Sequence, residues 1–226
     1  MGEREYVVTI DGPAGAGKGT VARALAERLG YRLLDTGAMY RALAWSVARA
    51  GIDLDDGAGL ARHLPGVHVE LRDERVLVDG RDVTDEIRTP EISALTSRLS
   101  ALGPVRDKLT PVQRALAAPG GVVLEGRDTG TVVCPDAAVK FFLVASVEER
   151  ARRRYAELLG RGVSADMVAV RAEITRRDEQ DSGRALAPLR PAPDAVEIDT
   201  TTLTVEQVVE RMLDVIDARK RCCTHS

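Results

Sequence analysis

The sequence predicts an α/β fold, a five-stranded parallel sheet with helices on both faces, and three observations carry that prediction. Short apolar runs alternate with longer segments of helical period. A glycine-rich loop separates the first run from the first helical segment. One stretch, residues 65–88, changes to the two-residue period of antiparallel strands.

The strand-like runs are Tyr6–Ile10, Tyr31–Leu34, Val122–Leu124, Val139–Val144 and Ala195–Ile198. Several are nearly continuous in apolar residues, as strands covered on both faces should be. Helices are expected at about Lys18–Leu29, Ala38–Ala50, Glu91–Leu102, Val105–Ala118, Val147–Leu159, Ala165–Asp181 and Thr204–Arg219. In such a sheet a ligand lies beyond the carboxyl ends of the strands, so the residues just after each run are the ones to inspect. Between Pro65 and Arg88, Val67, Val69 and Leu71 alternate with His68, Glu70 and Arg72, and Val76 and Val78 follow Asp73-Glu74-Arg75. Asp79-Gly80 then reads as a tight turn into Arg81-Asp82-Val83. A small antiparallel insertion is expected here, the alternative being an irregular loop. Pro188–Pro193 is a connector to the last strand.

Behind the first run lies Gly12-Pro13-Ala14-Gly15-Ala16-Gly17-Lys18-Gly19-Thr20. Strand, glycine loop and helix form the context in which G-x-x-x-x-G-K binds phosphate. Without Cβ atoms the loop can wrap closely and turn its N–H groups inward, and the helix start adds partial positive charge. Lys18 supplies a point charge for the outer phosphates. It is one of four lysines against 28 arginines, so it is not composition filler. Gly19 stands where the usual loop has its hydroxyl residue, which moves to Thr20.

Four further stretches lie at strand ends or helix ends. Asp35-Thr36-Gly37-Ala38-Met39-Tyr40-Arg41 suits a second phosphate and its ribose, or an ordinary helix start capped by Asp35 or Thr36. Glu125-Gly126-Arg127-Asp128-Thr129-Gly130 places charge at a strand end, where it meets a ligand or forms a surface ion pair. Arg150, Arg152, Arg153 and Arg154 open a helix, against its dipole. They read either as a mobile lid over triphosphate or as a solvated basic face with Glu148, Glu149 and Glu157. Arg177, Asp181 and Arg184 recur at i, i+4 and i+7, so one helix face is expected to carry them, either as a site or as a row of surface salt bridges.

Composition narrows the classes. At 226 residues and 44% apolar content the chain can bury a sizeable core in a single domain. A net charge of −3 argues against bulk binding to nucleic acid or an anionic membrane. No apolar run approaches the roughly 18 residues of a membrane span, and Met1-Gly2-Glu3-Arg4-Glu5 has no signal-peptide core, so a cytoplasmic protein is expected. Cys134, Cys222 and Cys223 form no disulfide framework, and His63, His68 and His225 have no ligand spacing, so a structural metal site is not expected. Residues 220–226 are expected to be a disordered tail.

Together these stretches resemble the bacterial cytidylate kinase family, of the nucleoside monophosphate kinase group. The resemblance rests on Asp11–Thr20, Leu33–Arg41, Asp85–Thr89, Gly126–Val133 and Arg176–Arg184, in the family's order, over about Val7 to Ile216. It implies a P-loop kinase core with a monophosphate-binding part at 36–105, a β insertion at 65–88 and a helical lid at 150–166. It implies that Gly12 to Thr20 bind ATP, with Thr20 beside magnesium, the metal cofactor. Thr36, Arg41, Arg127 and Arg184 match positions for the CMP phosphate, Tyr40 and Asp181 for the ribose, and Ser97, Arg106 and Asp128 for cytosine. Arg177 matches the arginines around the transferred group, and Arg153 and Arg154 match the lid. With Lys18 and Arg127 these arginines form the expected catalytic set. Glu125 stands where many members have Asp, and its role is left open. The implied reaction is transfer of the γ-phosphoryl group of Mg-ATP to CMP or dCMP. Alternatives are a P-loop kinase for UMP, AMP or a small metabolite, or a slowly hydrolysing switch. The absence of Asn, and so of an Asn-Lys-x-Asp motif, disfavours the switch. The partners implied are small molecules, and a monomer is expected.

Overall fold

The computed structural model describes residues 5–72 and 75–223, and the chain divides into two compact units. One unit contains the chain up to Leu33 and again from Pro119; the other is Leu34–Ala118. From the amino end come β1 (Val7–Asp11), α1 (Lys18–Leu29), β2 (Arg32–Asp35) and α2 (Thr36–Arg49). A short helix, α3 (Gly57–His63), leads to β3 (Val69–Arg72), β4 (Arg75–Val78) and β5 (Arg81–Asp82). Helices α4 (Pro90–Leu99) and α5 (Gly103–Ala117) complete the second unit. The chain continues as β6 (Val122–Glu125), β7 (Val139–Val144), α6 (Val147–Gly160), α7 (Met167–Ser182), β8 (Val196–Asp199) and α8 (Val205–Cys223). Among the described residues no helix is long and apolar enough to cross a membrane.

The expected parallel sheet has the order β2-β6-β1-β7-β8. Strand β1 lies between β6 and β7, with Val8 opposite Val123 on one side and Val139 on the other. Alternation puts Val8, Ile10, Phe141 and Leu143 on one face, where they pack against Val21 and Leu25 of α1 and Met212 and Ile216 of α8. Each of these large side chains is essentially fully buried and contributes roughly 1.5–3 kcal/mol. The opposite face of the central strands carries polar groups, Thr9, Asp11 and Lys140, all buried. Lys140 donates to Asp194 at 2.9 Å and to the Pro135 carbonyl, which secures the connector leading into β8.

In the second unit α2 packs against α4, α5 and the small sheet, burying Met39, Leu43 and Val47. The expected insertion is a three-stranded antiparallel sheet, β3-β4-β5. Val78 pairs with Arg81 across a two-residue turn in which Asp79 and Gly80 have φ of 50° and 80°, the left-handed pair that the twist of a hairpin favours. Residues 73 and 74, between β3 and β4 in the chain, lie outside the described residues. Strand and helix limits fall close to those expected from sequence. Helix α3 was not anticipated: seven residues with two glycines carry no readable period, and Asp56 caps it by accepting from Gly59 N at 2.8 Å. Helix α8 runs through Lys220–Cys223, the first four residues of the expected tail, and 224–226 lie outside the described residues.

Candidate active site

Between β1 and α1 the chain must turn beneath β7. Gly12 has φ 147°, and a Cβ there would lie 2.1 Å from the Leu143 carbonyl oxygen, so no other residue fits. Three carbonyls of the loop are drawn to side-chain donors. Pro13 O accepts from Lys18 Nζ at 2.7 Å, Ala14 O from Arg150 at 3.1 Å and Ala16 O from Thr200 Oγ1 at 3.1 Å. Carbonyls held this way leave a glycine loop able to present its N–H groups to phosphate. Lys18 is 5% exposed. Burial lowers its pKa to about 7, helped by the positive charges of Arg127 and Arg177 and opposed by Glu125 and Asp11. A phosphate arriving beside it would restore its charge.

Asp11, the last residue of β1, is 4% exposed and accepts three hydrogen bonds. They come from Thr129 N at 2.9 Å, Thr129 Oγ1 at 2.8 Å and Gly130 N at 2.7 Å. Burial raises its pKa, and those donors oppose the shift. It thus ties the phosphate loop to the segment after β6, which forms a single wide helical turn over Thr129–Val133. Asp128, immediately before that turn, is buried. Glu125 is also buried; a Cβ placed on Gly19 would lie 3.6 Å from its carboxylate, and its charge acts on Lys18.

Asp181 is the centre of a second cluster. It is 1% exposed, Arg127 Nε donates to one of its oxygens at 3.0 Å, and Arg184 donates to the other. Burial works to raise its pKa, but Arg127, Arg184 and Arg177 outweigh it, and the carboxyl stays below its usual range. Two expectations are corrected here. Helix α7 ends at Ser182, so Arg184 does not share a helix face with Arg177 and Asp181 but returns to Asp181 from the turn beyond Gly183. The cluster is also not a row of surface salt bridges, because its carboxylate is buried.

The arginines opening α6 are not uncompensated. Arg150 is 4% exposed, donates to the Ala145 carbonyl at 3.0 Å and pairs with Asp178 of α7 at 2.7 Å. Arg153 reaches Glu149 at 2.8 Å and the Thr200 carbonyl at 2.6 Å, while Arg152 and Arg154 pair with Glu149 and Glu157. Glu148 and Glu149 in the first turn balance the helix dipole that the arginines oppose.

The second unit carries the remaining candidates on α2, α4 and α5. Asp35 caps α2 through Ala38 N at 2.7 Å and holds Arg41 at 2.9 Å, so the capping alternative is realised and at the same time fixes an arginine. Thr36 and Tyr40 on α2, Ser97 on α4 and Arg106 on α5 are buried. The Arg106 guanidinium lies 5.8 Å from the centre of the Tyr40 ring and donates to the Ser100 carbonyl at 3.2 Å.

Among the described residues no group of three or more His, Cys, Asp or Glu could hold a metal. What the loop does offer is oxygen: the exposed Thr20 and the carboxylate of Glu125 near Gly19. Few, hard protein ligands suit a magnesium ion that keeps waters and substrate phosphates as its other ligands. Asp11 already accepts three hydrogen bonds from the segment after β6. Sequence reading did not single out Asp11, Arg150, Asp178 or Thr200. A charged residue closing an apolar strand was a usable signal for Asp11; nothing distinguished Arg150 from its neighbours.

The sheet order, the glycine loop and its lysine define the P-loop kinase class of fold. A family model described as cytidylate kinase matches residues 8–218. A cytidylate kinase from Geobacter sulfurreducens is 54% identical over 97% of this chain and 96% of its own. One from Geobacillus kaustophilus is 51% identical over 96% and 99%. The crystal structure of an uncharacterized protein from Eubacterium ventriosum, 13% identical, covers 95% of this chain and 99% of its own at a TM-score of 0.52, a likeness of fold alone. The chain belongs to the cytidylate kinase family.

Proposed function

We propose that this chain transfers the γ-phosphoryl group of ATP to CMP or dCMP, giving CDP or dCDP and ADP. The observation that carries this reading is the joining of the phosphate loop, through Asp11, to the segment bearing Arg127 and Asp128. The acceptor is a phosphate oxygen that is already anionic, so no dedicated general base is needed. Catalysis is then positioning plus neutralisation of charge. Gly12 to Thr20 cradle the ATP phosphates, and Lys18 meets the charge that develops on the transferring group. Thr20 and Glu125 are the side chains that would hold a magnesium ion arriving with ATP, which would supply positive charge to neutralise the phosphates.

For the acceptor, Thr36, Arg41, Arg127 and Arg184 take the CMP phosphate. Asp181 holds Arg127 and Arg184 on its two oxygens, and Asp181 and Tyr40 are the groups for the ribose. Arg177 adds charge at the transferred group, as do Arg153 and Arg154 from α6. Asp128 accepts from the cytosine amino group, and Ser97 and Arg106 supply donors to its N3 and O2 edge. Uracil would set O4 against Asp128 and N3–H against Arg106, leaving buried polar groups unpaired. The test is ADP release with CMP, dCMP, UMP and AMP as acceptors. CMP and dCMP should be turned over well above UMP, and both above AMP. A preference for UMP or AMP would replace this acceptor assignment, and ADP release independent of acceptor would make the protein a hydrolase.

A further inference from the structure

We propose that Asp11 is a positioning residue for base selection: it acts through the backbone around Asp128 and so determines how well cytosine is told from uracil. The inference rests on Asp128 being the carboxylate that reads the base.

The Thr129 N–H that Asp11 accepts belongs to the peptide bond immediately after Asp128, so this bond fixes ψ of Asp128, found at 22°. The carbonyl of the same peptide bond is held from the other side by Val132 N at 2.9 Å and Val133 N at 3.2 Å. Both ends of one peptide plane are therefore pinned, and the Cα–Cβ direction of Asp128 is set with it. Asp11 grips the next peptide too, through Gly130 N. That grip needs close approach: a Cβ on Gly130 would lie 2.8 Å from Thr9 Oγ1 and 3.4 Å from Asp11 itself. Asp11 is in turn immobile, since it closes the central strand and precedes the glycine packed on Leu143.

Only a carboxylate makes this set of bonds. One oxygen takes both the N–H and the hydroxyl of Thr129, and the other takes the N–H of Gly130. In Asp11→Asn the amide nitrogen would face one of these donors, and the turn would have to shift. A carboxylate is expensive to bury, and an apolar residue would serve if the position only filled space. A hydrogen-bonding residue that merely glued the fold would, when replaced, weaken turnover of every acceptor alike. One that aims Asp128 would change the ratio between acceptors.

The experiment measures kcat/KM for CMP and UMP, and KM for ATP, in wild type, Asp11→Asn, Thr129→Val, Asp128→Ala and the Asp11→Asn/Asp128→Ala double variant. Asp11→Asn should lower the CMP to UMP ratio roughly tenfold while changing KM for ATP less than about twofold. Thr129→Val, which keeps the shape and removes one bond, should move the ratio in the same direction by less, and it carries the test if Asp11→Asn does not fold. In the Asp128→Ala background Asp11→Asn should not lower the ratio further, because the residue it aims is gone. Equal loss for CMP and UMP in Asp11→Asn, or an undiminished ratio change in the Asp128→Ala background, would overturn the proposal and leave Asp128 as the reader. An unchanged ratio in Asp128→Ala alone would instead remove Asp128 as the reader, and the role of Asp11 with it.

Discussion

The phosphate loop and the α6–α7 hairpin are both rich in charge, yet they are built in opposite ways. The loop is held by groups that water does not reach: Arg150 and Thr200 take its carbonyls, and Lys18 is buried among them. The hairpin has a small buried core, Ala151, Leu158, Val170 and Ile174, with Val147, Tyr155 and Ala165 packed against it, and it leaves Leu159, Val163, Met167 and Val168 exposed toward its tip. Its ion pairs are largely in water; the Arg152 side chain is 68% exposed against 5% for Arg150. Thus the number of arginines says little about stiffness, whereas burial and partners say a great deal. Arg150 and Arg153 fasten the base of the hairpin to the loop and to Thr200, so any closing motion has to begin beyond Arg153.

The largest effect should come from the loop. Lys18→Met should lower kcat by 10² or more, roughly 3 kcal/mol or above, with the fold kept. Near-normal turnover by the pure variant would remove Lys18 from the mechanism. A second measurement uses its lowered pKa of about 7. At pH 8.5 free Lys18 is mostly neutral, and bound phosphate favours its charged form, so ATP binding should take up roughly one proton through this group. At pH 6 the lysine is already protonated, and its share of the uptake should vanish. Calorimetry in buffers of different ionisation enthalpy, wild type against Lys18→Met, isolates that share; equal uptake by both proteins would contradict it.

Next is the joint between the two regions. Arg150→Met keeps much of the volume but leaves Asp178 and the carbonyls of Ala14 and Ala145 without their donor. Breaking a buried pair from one side should cost about 3 kcal/mol of stability in denaturant unfolding. It should also raise KM for ATP more than KM for CMP. A loss below about 1 kcal/mol would mean that the base of the hairpin is no firmer than its tip.

Hydrogen exchange draws the same line along one chain. Without ligand, amides of 157–168 should exchange at least ~10-fold faster than those of 150–154, and ATP with CMP should slow the former. Uniform protection across the hairpin would remove the distinction between base and tip.

Sequence reading recovered the strands because buried parallel strands are nearly continuous apolar runs, and Val139–Val144 could hardly be anything else. It recovered the phosphate loop because glycine spacing, lysine and helix are local. It mistook Arg184 for a helix-face residue because periodicity does not reveal that the chain leaves α7 at Gly183. It treated Arg150 like Arg152 because burial of a charge depends on partners far along the chain, here Ala14 and Asp178. Asp11 was passed over for the same reason, its partners lying about 120 residues away.

The smallest effect should be on the hairpin surface, at Glu149. It accepts from Arg152 at 2.7 and 2.8 Å and from Arg153 at 2.8 Å. The Arg152 bonds are the main reason its carboxyl titrates at about 2 instead of 4.5; partial burial opposes the shift and Arg153 adds to it. A carboxyl with a depressed pKa in the fold binds its proton more readily in the unfolded chain. Its contribution is therefore complete above about pH 4.5 and is lost as pH falls toward 2. The shift overstates the energy, because water screens Arg152 and both long side chains lose freedom in the pair. Glu149→Gln should cost less than about 1 kcal/mol at pH 7, and less again in high salt. Unfolding of the two proteins compared from pH 7 down to pH 3 should show their stabilities converging. A larger loss at pH 7, or a gap that persists in acid, would mean that Glu149 acts through Arg153 on Thr200 and belongs with the stiff base of the hairpin and not with its solvated surface.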